Sequence, residues 1–441
     1  MIKQILFILV LIITLAVFFF TIKQLIKNFR LTRPASFSWK EWPARVKMTL
    51  DVAFGQTKIF RRPIVGLMHA LVFWGFLIIT IGSLETVIDG VFNLERSFRG
   101  LGVVYDIIMA CGDIFALLIL IFIIAFIVRR VLMNVKRLKG TEIKAASRKD
   151  ANIALSLIFL LMVSLLGMNV FYINSSIIEE SSYYGVYPVS SLIQQLFTVE
   201  SFSVSYAWMQ IFWWIHILII FVFANLLPYS KHFHVFLSIP NVFFSRLEPL
   251  GYVPAIESLK QEVELMLNPE AEISEAEASG EQETFGAKDA YQLSWKNYLD
   301  SLSCTECGRC TSVCPANITG KKLSPRKIMM DTRSRMKEIG KELKAENTSI
   351  DDGKSLLHDY ITEEELWACT MCNACAMECP ININQPSIIL ELRRYLVLEE
   401  AKAPTELQSM FTNIENNGAP WAFNQEDRTE WTNDLSITIK Q

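Results

Sequence analysis

The chain has 441 residues, of which 51% are hydrophobic and only 20% are charged. This composition excludes a disordered protein and argues against an ordinary soluble enzyme. The 42 Lys and Arg residues nearly balance the 45 Asp and Glu residues, so the net charge of −3 gives no basis for nucleic-acid binding. Residues 1–240 contain the long apolar runs, whereas residues 255–441 are charged and contain eight of the nine cysteines. We therefore expect a membrane part followed by a water-exposed part.

Five apolar stretches are long enough to cross a bilayer, which takes about 20 apolar residues. They cover residues 5–22, 64–84, 103–128, 153–173 and 206–227. A signal peptide is the alternative for the first stretch, but its apolar run is longer than a typical signal core and no small-residue cleavage site follows it. We therefore interpret the first stretch as a retained membrane anchor.

The charges of the connecting loops predict the orientation. Loops 23–62 and 129–150 hold eighteen Lys and Arg residues, whereas loops 85–102 and 174–205 hold two. Positively charged loops stay on the cytoplasmic side. We therefore expect the N-terminus outside an inner membrane and the C-terminal half in the cytoplasm. Thiols stay reduced there, so clustered cysteines are expected to bind metal rather than form disulfides.

Four of the five histidines lie in or beside the predicted spans: His69, His216, His232 and His234. A polar ring in hydrocarbon is costly, and an imidazole is a good axial ligand for haem iron. The alternative is a histidine that bonds to a neighbouring helix or lies in the interface, which is our interpretation of His232. Five helical turns separate His216 from His234, so we expect them on the same side of one helix, too far apart to share a haem.

Two cysteine runs dominate the second half. The first contains Cys304, Cys307, Cys310 and Cys314, and the second contains Cys369, Cys372, Cys375 and Cys379. Each has the form C-x2-C-x2-C-x3-C-P, a bacterial [4Fe–4S] signature in which the fourth cysteine serves the other cluster. We therefore assign Cys304, Cys307, Cys310 and Cys379 to cluster A, and Cys369, Cys372, Cys375 and Cys314 to cluster B. Structural zinc is the alternative, but zinc ribbons use two CxxC pairs per ion and fit this pattern poorly.

The residues between and after the cysteine runs are expected to be helical. Ser324 can cap a helix that begins at Pro325, and Gly340 can end it. Residues 388–400 have apolar positions on one helical face. Residues 268–288 are rich in Glu, Ala and Ser and are expected to form an acidic tether.

The stretch of residues 216–234 resembles the fifth span of the nitrate reductase gamma-subunit family. The resemblance rests on four residues: His216, Pro228, Ser230 and His234. It implies haem b between spans two and five, with His69 and His234 on the cytoplasmic-side haem and His216 on an outer haem. The resemblance places the other ligand of the outer haem ten residues after His69, and this position is Ile79. One haem is therefore implied, and a second haem would need another ligand. Depth along the spans favours a His69–His216 pair, and that pairing stays open.

The cysteine-rich region resembles the helical ferredoxin domain of succinate dehydrogenase iron–sulfur subunits and of the C subunit of heterodisulfide reductase. Residues 413–431 resemble the segment that precedes cysteine-rich CCG domains in heterodisulfide-reductase-like proteins. The chain has no CCG pair. The resemblance therefore implies that the CCG domain is absent or lies on a separate partner protein, and we favour the second.

We therefore expect an all-α protein, a five-span bundle followed by a helical two-cluster ferredoxin domain. The expected parts are a membrane anchor and loop (1–62), a haem b domain (63–245), an acidic linker (246–290), the ferredoxin domain (291–400) and a tail that docks a partner (401–441). The resemblance implies an oxidoreductase subunit that is not catalytic alone and that passes electrons between menaquinone or ubiquinone, haem b, the clusters and a CCG-domain or electron-transfer flavoprotein partner. An iron–sulfur scaffold and a redox sensor are the alternatives.

Overall fold

The computed structural model describes residues 2–35, 37–133, 135–140, 142–268, 284–345 and 352–435. Within these ranges the regular secondary structure is helical, with two isolated bridges and no strand, so the predicted all-α class is confirmed. The first helices in chain order are α1 (Ile2–Leu31), α2 (Trp42–Met48), α3 (Pro63–Phe92), α4 (Val103–Val131), α5 (Ala145–Ile178), α6 (Pro188–Leu196), α7 (Phe202–Leu226), α8 (His234–Phe243) and α9 (Glu257–Leu267).

Five helices in the described part of the chain, α1, α3, α4, α5 and α7, are long and apolar enough to cross a membrane. The five predicted spans are thus confirmed on length and composition. Helix α5 packs against α4 and α7, and α3 packs against α4. Gly167 of α5 allows a close approach, because an added Cβ would lie 2.9 Å from the ring of Phe212 in α7. Small residues bring membrane helices together in this way.

The predicted continuous helix from His216 to His234 is wrong. Helix α7 ends at Leu226, and two short 3-10 turns separate it from α8, which begins at His234. Pro228 has no backbone N–H to continue the helix, and Ser230 has an extended backbone with ψ 154°. His216 and His234 therefore lie on different helices, and the spacing of five turns does not place them on one face.

A C-terminal domain, residues 284–345 and 352–398, packs on one end of the bundle. Its helices are α10 (Trp295–Ser303), α11 (Arg309–Val313), α12 (Pro315–Ile318), α13 (Pro325–Ala345), α14 (Glu363–Trp367), α15 (Ala374–Glu378) and α16 (Gln385–Leu398), and α17 (Thr405–Asn417) follows. Ile328 of α13 and Leu392 of α16 are fully buried in its core. Ala287 and Ala290 lie in the same core, so packing starts before residue 291. Residues 269–283 of the predicted tether lie outside the described residues.

Helix α1 packs into the bundle near its first residues. Phe7 is fully buried, and its ring centroid lies 5.6 Å from that of Trp213 and 5.8 Å from that of Phe221, both in α7. Gly90 of α3 makes room for it, because an added Cβ there would lie 2.6 Å from the Phe7 ring. The first span is therefore an integral part of the bundle.

The other end of α1 contacts the C-terminal domain. The Gln24 side chain donates a hydrogen bond to the Gly340 carbonyl of α13 at 3.0 Å, and the Asn28 side chain covers the space where a Cβ of Gly340 would lie. The prediction that Gly340 ends its helix is wrong, since α13 continues to Ala345. The lack of a side chain at Gly340 leaves room for α1 to cross α13 at this point.

Candidate functional site

The two cysteine runs have the same backbone conformation. In each run, the residues immediately before and after the second cysteine have positive φ: Glu306 and Gly308 in the first run, Met371 and Asn373 in the second. The third cysteine then lies on a short helix, α11 or α15, and these two helices pack against each other. The sequence repeat is therefore also a structural repeat.

The eight cysteines of the two runs come together in two groups of four, and each group takes its fourth member from the other run. Group A, whose thiols interact electrostatically, consists of Cys304, Cys307, Cys310 and Cys379. Group B, which lines one cavity, consists of Cys314, Cys369, Cys372 and Cys375. Cys310 also interacts with Cys375, so the two groups are neighbours.

Burial strongly disfavours ionised thiols in both groups. It raises the pKa of Cys304 to about 11 and the pKa values of Cys375 and Cys379 to about 12. Neighbouring buried thiolates need a compensating positive charge, which bound metal supplies. Within the described residues, no three His, Cys, Asp or Glu side chains converge on a site for a single ion.

Group A faces the bundle, and group B reaches the surface. Arg137, between α4 and α5, donates a hydrogen bond to the Cys307 carbonyl at 3.2 Å. Arg309, next to Cys310 in group A, donates to the Lys58 carbonyl just before α3 at 2.9 Å. In group B, Cys372 is exposed. The geometry orders the two groups from the bundle outward.

His69 and His234 form a pair at the end of the bundle that carries the C-terminal domain. They interact electrostatically, and Arg309 is a further electrostatic neighbour of His69. His69 Nδ1 lies 3.2 Å from Gln56 Oε1, and His234 Nδ1 lies 3.2 Å from the Lys231 carbonyl oxygen. Because both partners accept hydrogen bonds, Nδ1 of each ring carries the proton and Nε2 is left unprotonated. Iron-ligating histidines are held in this way.

His216 lies apart from this pair. It is 2% exposed, and its Nδ1 lies 3.1 Å from the Leu161 carbonyl oxygen and 3.0 Å from Ser164 Oγ, both on α5. The histidine that interacts with His69 is His234, not His216. The electrostatic contact of His234 with His69 supports the pairing that the family resemblance implies, which stays a prediction.

The two remaining histidines have other surroundings. The His232 ring centroid lies 6.1 Å from that of His234, its Nδ1 lies 3.2 Å from Ser230 Oγ, and burial lowers its pKa to about 4. His358 lies on the C-terminal domain, with Nε2 3.0 Å from a carboxylate oxygen of Glu400.

Asp113, the acid in the middle of α4, has a structural role. Its carboxylate accepts backbone N–H groups of Val189 at 2.8 Å and Ser190 at 2.9 Å, at the start of α6. These are N–H groups that the first turn of a helix leaves unpaired. Asp113 thus anchors α6 to the bundle.

A buried ionic cluster joins the bundle to the C-terminal domain beside group A. Lys231 Nζ lies 2.8 Å from Glu306 Oε2, and both side chains are nearly inaccessible. Arg333 and Ser147 contact the same carboxylate. Burial opposes the ionisation of Glu306, but Arg333 and Lys231 overcome it and lower its pKa to about 2. The carboxylate is therefore charged at neutral pH and fixes the contact between the two parts.

Sequence reasoning missed the residues that support the predicted ligands. Gln56 lies just after a π-helical turn that precedes α3, where no motif marks it. Glu306 lies inside the first cysteine run, between two cysteines, and its partner Lys231 lies in the break after α7. Their roles depend on contacts between distant parts of the chain, which single-sequence patterns do not contain.

Comparison with known proteins agrees with these groups. Residues 303–383 match the family model of the 4Fe-4S dicluster domain. The chain is 29% identical over 412 residues to the "Probable iron-sulfur-binding oxidoreductase FadF" of Bacillus subtilis, covering 86% of this chain and 53% of the relative. The chain is similar to iron–sulfur oxidoreductases along most of its length.

Two further relatives extend this similarity. The "EtfAB:quinone oxidoreductase" of Syntrophomonas wolfei is 29% identical over 416 residues, 87% of this chain and 53% of the relative. The C subunit of the "Ferredoxin/F(420)H(2)-dependent CoB-CoM heterodisulfide reductase" of Methanosarcina acetivorans is 36% identical over 107 residues, 24% of this chain and 52% of the relative. The predicted resemblance to the C subunit of heterodisulfide reductase is confirmed. The chain spans about half the length of the longest-matching relatives, and no solved structure matches it.

Proposed function

We propose that the chain carries electrons between a quinone in the membrane and a partner in the cytoplasm, through one haem b and two [4Fe–4S] clusters. The His69–His234 pair next to group A carries this proposal. It supports a chain of electron carriers that begins inside the bundle and ends at the surface of the C-terminal domain. When bound, haem and clusters supply one-electron oxidation and reduction at fixed positions.

His69 and His234 are the proposed ligands of haem b. Both rings are held through Nδ1 by acceptors, Gln56 Oε1 and the Lys231 carbonyl, so each has Nε2 available as an axial nitrogen. Burial lowers the pKa of His234, so the ring is neutral. Because the chain has only five histidines, few other bis-histidine arrangements are available.

Groups A and B are the proposed ligand sets of clusters A and B. The crossed grouping follows the two-cluster ferredoxin pattern, in which the fourth cysteine of each run serves the other cluster. Arg309 lies near His69 and adjoins Cys310, which supports cluster A as the neighbour of the haem site. Electron transfer weakens steeply with distance, so this adjacency matters more than any single contact.

The exposure of Cys372 and the charges of the loops indicate where the chain would meet its partners. Cys372 of group B is exposed, which makes cluster B the exit to a partner. The loop charges support a cytoplasmic C-terminal domain and an outside N-terminus. The name of the Syntrophomonas wolfei relative supports a quinone in the membrane and an electron-transfer flavoprotein as a partner. The heterodisulfide reductase relative is named as a subunit, which supports a separate partner subunit, and we propose that this subunit carries the CCG domain.

Purified protein in proteoliposomes with a short-chain menaquinone tests the proposal. After reduction with dithionite and removal of the excess, the quinone is expected to oxidise both the haem, followed by its visible spectrum, and the clusters, followed by electron paramagnetic resonance. Protein that binds clusters but no haem would contradict the proposal. So would clusters that stay reduced after the haem is oxidised.

A further inference from the structure

The segment that connects α1 to α3 has an inverted distribution of polar and apolar side chains. Helix α2 runs directly into the π-helical turn Thr49–Phe54. Arg45 and Thr49 face the protein and are 6% and 8% exposed, whereas Trp42 and Leu50 face outward and are 48% and 58% exposed. A helix at a water-exposed surface has the opposite arrangement, with apolar side chains inward and polar side chains outward. The pattern therefore indicates that the outer side of this segment does not face water.

Hydrogen bonds hold the polar side of the segment against the protein. The Arg45 guanidinium donates to the Glu41 carboxylate at 2.7 Å and to the Ser245 carbonyl, just after α8, at 2.9 Å. The Thr49 hydroxyl donates to the Arg45 carbonyl at 2.8 Å. The segment cannot rotate to bury its apolar side without breaking these bonds, so its apolar side stays outward.

An open groove of about 710 Å³ runs along the outer side of the segment. Its lining is apolar at Trp42, Pro43, Val46 and Leu50 and charged at Lys47 and Asp51. A spacing of four residues places Trp42, Val46 and Leu50 in one stripe along the helix. An apolar stripe bordered by a lysine fits an acyl chain and the phosphate to which it is attached.

The position of the segment places this stripe beside the membrane. Both helices that it connects are long and apolar enough to be spans. The ring centroid of Phe54, at the end of the π-helical turn, lies 6.2 Å from that of Phe73 in α3. Phe73 comes ten residues after Pro63, the first residue of α3, which corresponds to about 15 Å along the helix. The segment therefore lies alongside the apolar part of α3 rather than beyond its end.

Two tryptophans and two lysines of the segment suit the boundary between hydrocarbon and headgroups. Trp39 is 70% exposed, and its ring stacks on that of Trp42 with the centroids 5.7 Å apart. Tryptophan is enriched at this boundary, where its ring is partly in hydrocarbon and its N–H is hydrated. Lys40 and Lys47 are exposed on the same segment. A lysine at this depth extends its ammonium group to the headgroups.

We infer that residues 39–50 form a phospholipid-binding surface in the leaflet nearest the C-terminal domain. An acyl chain covers the groove, and Lys40 and Lys47 contact the phosphate. Helices that lie in the plane of the interface bind lipid with an apolar side in this way. The inference goes beyond the proposed electron transfer and does not depend on it, because it concerns the part of the chain that was expected to be a cytoplasmic loop.

The lipid-binding surface adjoins both elements that carry the predicted haem ligands. Gln56 follows the π-helical turn, and its Oε1 lies 3.2 Å from His69 Nδ1. Arg45 also donates to the carbonyl of Phe243 at 3.2 Å, at the end of α8, the helix that begins at His234. Lipid bound along the segment therefore connects the histidine pair to the membrane surface.

Photo-crosslinking of the full chain in phospholipid nanodiscs tests the surface. Leu50 is replaced by p-benzoylphenylalanine, and mass spectrometry measures the fraction of protein that gains a phospholipid on illumination. Ile114, 42% exposed on the span α4, is the lipid-facing reference, and Ile318, 67% exposed on the C-terminal domain, is the matched control. We expect the yield at Leu50 to match that at Ile114 and to exceed that at Ile318 several times.

Two outcomes of this experiment would overturn the inference. One is a lipid yield at Leu50 no higher than the yield at Ile318. The other is a crosslink from Leu50 to a second copy of the chain or to a co-purified protein, which would show that protein rather than lipid covers the groove. Neither outcome would affect the proposed electron transfer.

A lipid titration tests the phosphate contact. The Leu50 crosslinking protein is held in detergent micelles, and phospholipid is added until the adduct yield saturates. Lys40→Gln and Lys47→Gln are each expected to raise the half-saturating lipid concentration about fivefold. Lys321→Gln and Lys341→Gln remove exposed charges from the C-terminal domain and should leave it unchanged. An unchanged value in the Lys40 and Lys47 variants would overturn the assigned phosphate contact.

Discussion

Lys231 and Glu306 form an ion pair of 2.8 Å that is buried between the bundle and the C-terminal domain. Glu306 lies between two cysteines of group A, and Lys231 supplies the carbonyl that holds His234. One contact thus fixes the position of the predicted cluster ligands relative to the predicted haem ligands. Docking of the two parts and the proposed electron transfer therefore depend on the same residues.

Glu306→Gln tests this contact. The substitution leaves Lys231 and Arg333 buried without their counter-charge, which typically costs about 3 kcal/mol. We expect a clear fall in thermal stability and slower electron exchange between haem and clusters. Glu364→Gln is the matched control, since its pair with Lys322 lies on the surface, and no measurable change is expected. Equal stability of the two variants would contradict the role assigned to Glu306.

Gln56→Asn tests how the haem ligand is held. Asn tolerates the φ of 56° at this position, but its side chain is one methylene shorter and no longer reaches His69 Nδ1. Loss of such a supporting hydrogen bond typically lowers metal affinity about tenfold or more. Haem titration of the apoprotein measures the change. Unaltered haem affinity would show that Gln56 does not orient His69.

Double cysteine variants distinguish crossed from uncrossed cluster ligation. Cys304 and Cys379 belong to one group but to different runs, so their double alanine variant should lose half of the iron. Cys304 and Cys314 belong to one run but to different groups, so their double variant should lose all of it. Uncrossed ligation predicts the reverse. Cys111→Ala, which changes the cysteine outside both runs, is the control and should keep all the iron.

Lys337→Met tests the electrostatics of the surface of α13 that faces the bundle. Burial lowers the pKa of Lys337 from 10.5 to about 8, so the folded state disfavours its charged form. The resulting penalty is full below about pH 8 and disappears as the pH rises towards 10.5. We expect the variant to be more stable than wild type at neutral pH, with the difference vanishing near pH 10. Thermal unfolding at several pH values measures this.

A lysine one turn further along α13 provides the comparison for that series. Lys341 is exposed, so Lys341→Met reports the effect of removing a surface charge from the same helix. A constant difference between Lys337→Met and wild type across the pH range would contradict the assigned burial penalty.

The sequence was sufficient to predict features that are encoded locally. Long apolar runs specify spans, and the repeated cysteine spacing predicts two groups of four thiols. The crossed grouping of Cys314 and Cys379 follows from the same motif. Pro325 begins its helix as predicted, because proline suits the first turn.

Features that depend on distant contacts could not be predicted in this way. The spacing of His216 and His234 fits one helix, but Pro228 breaks it and brings His234 to His69 instead. A glycine such as Gly340 often ends a helix, but here α13 continues past it and the missing side chain leaves room for α1 to cross. Gln56 has no motif, and only the folded structure places it beside His69.

The most direct test of the account is the haem content of three histidine variants, measured with iron and sulfide content in the same samples. His69→Ala and His234→Ala should each abolish the b-type haem spectrum while leaving the clusters intact. His358→Ala, which changes a histidine on the C-terminal domain, should bind haem as wild type does. A full haem spectrum in either of the first two variants would contradict a haem held between His69 and His234.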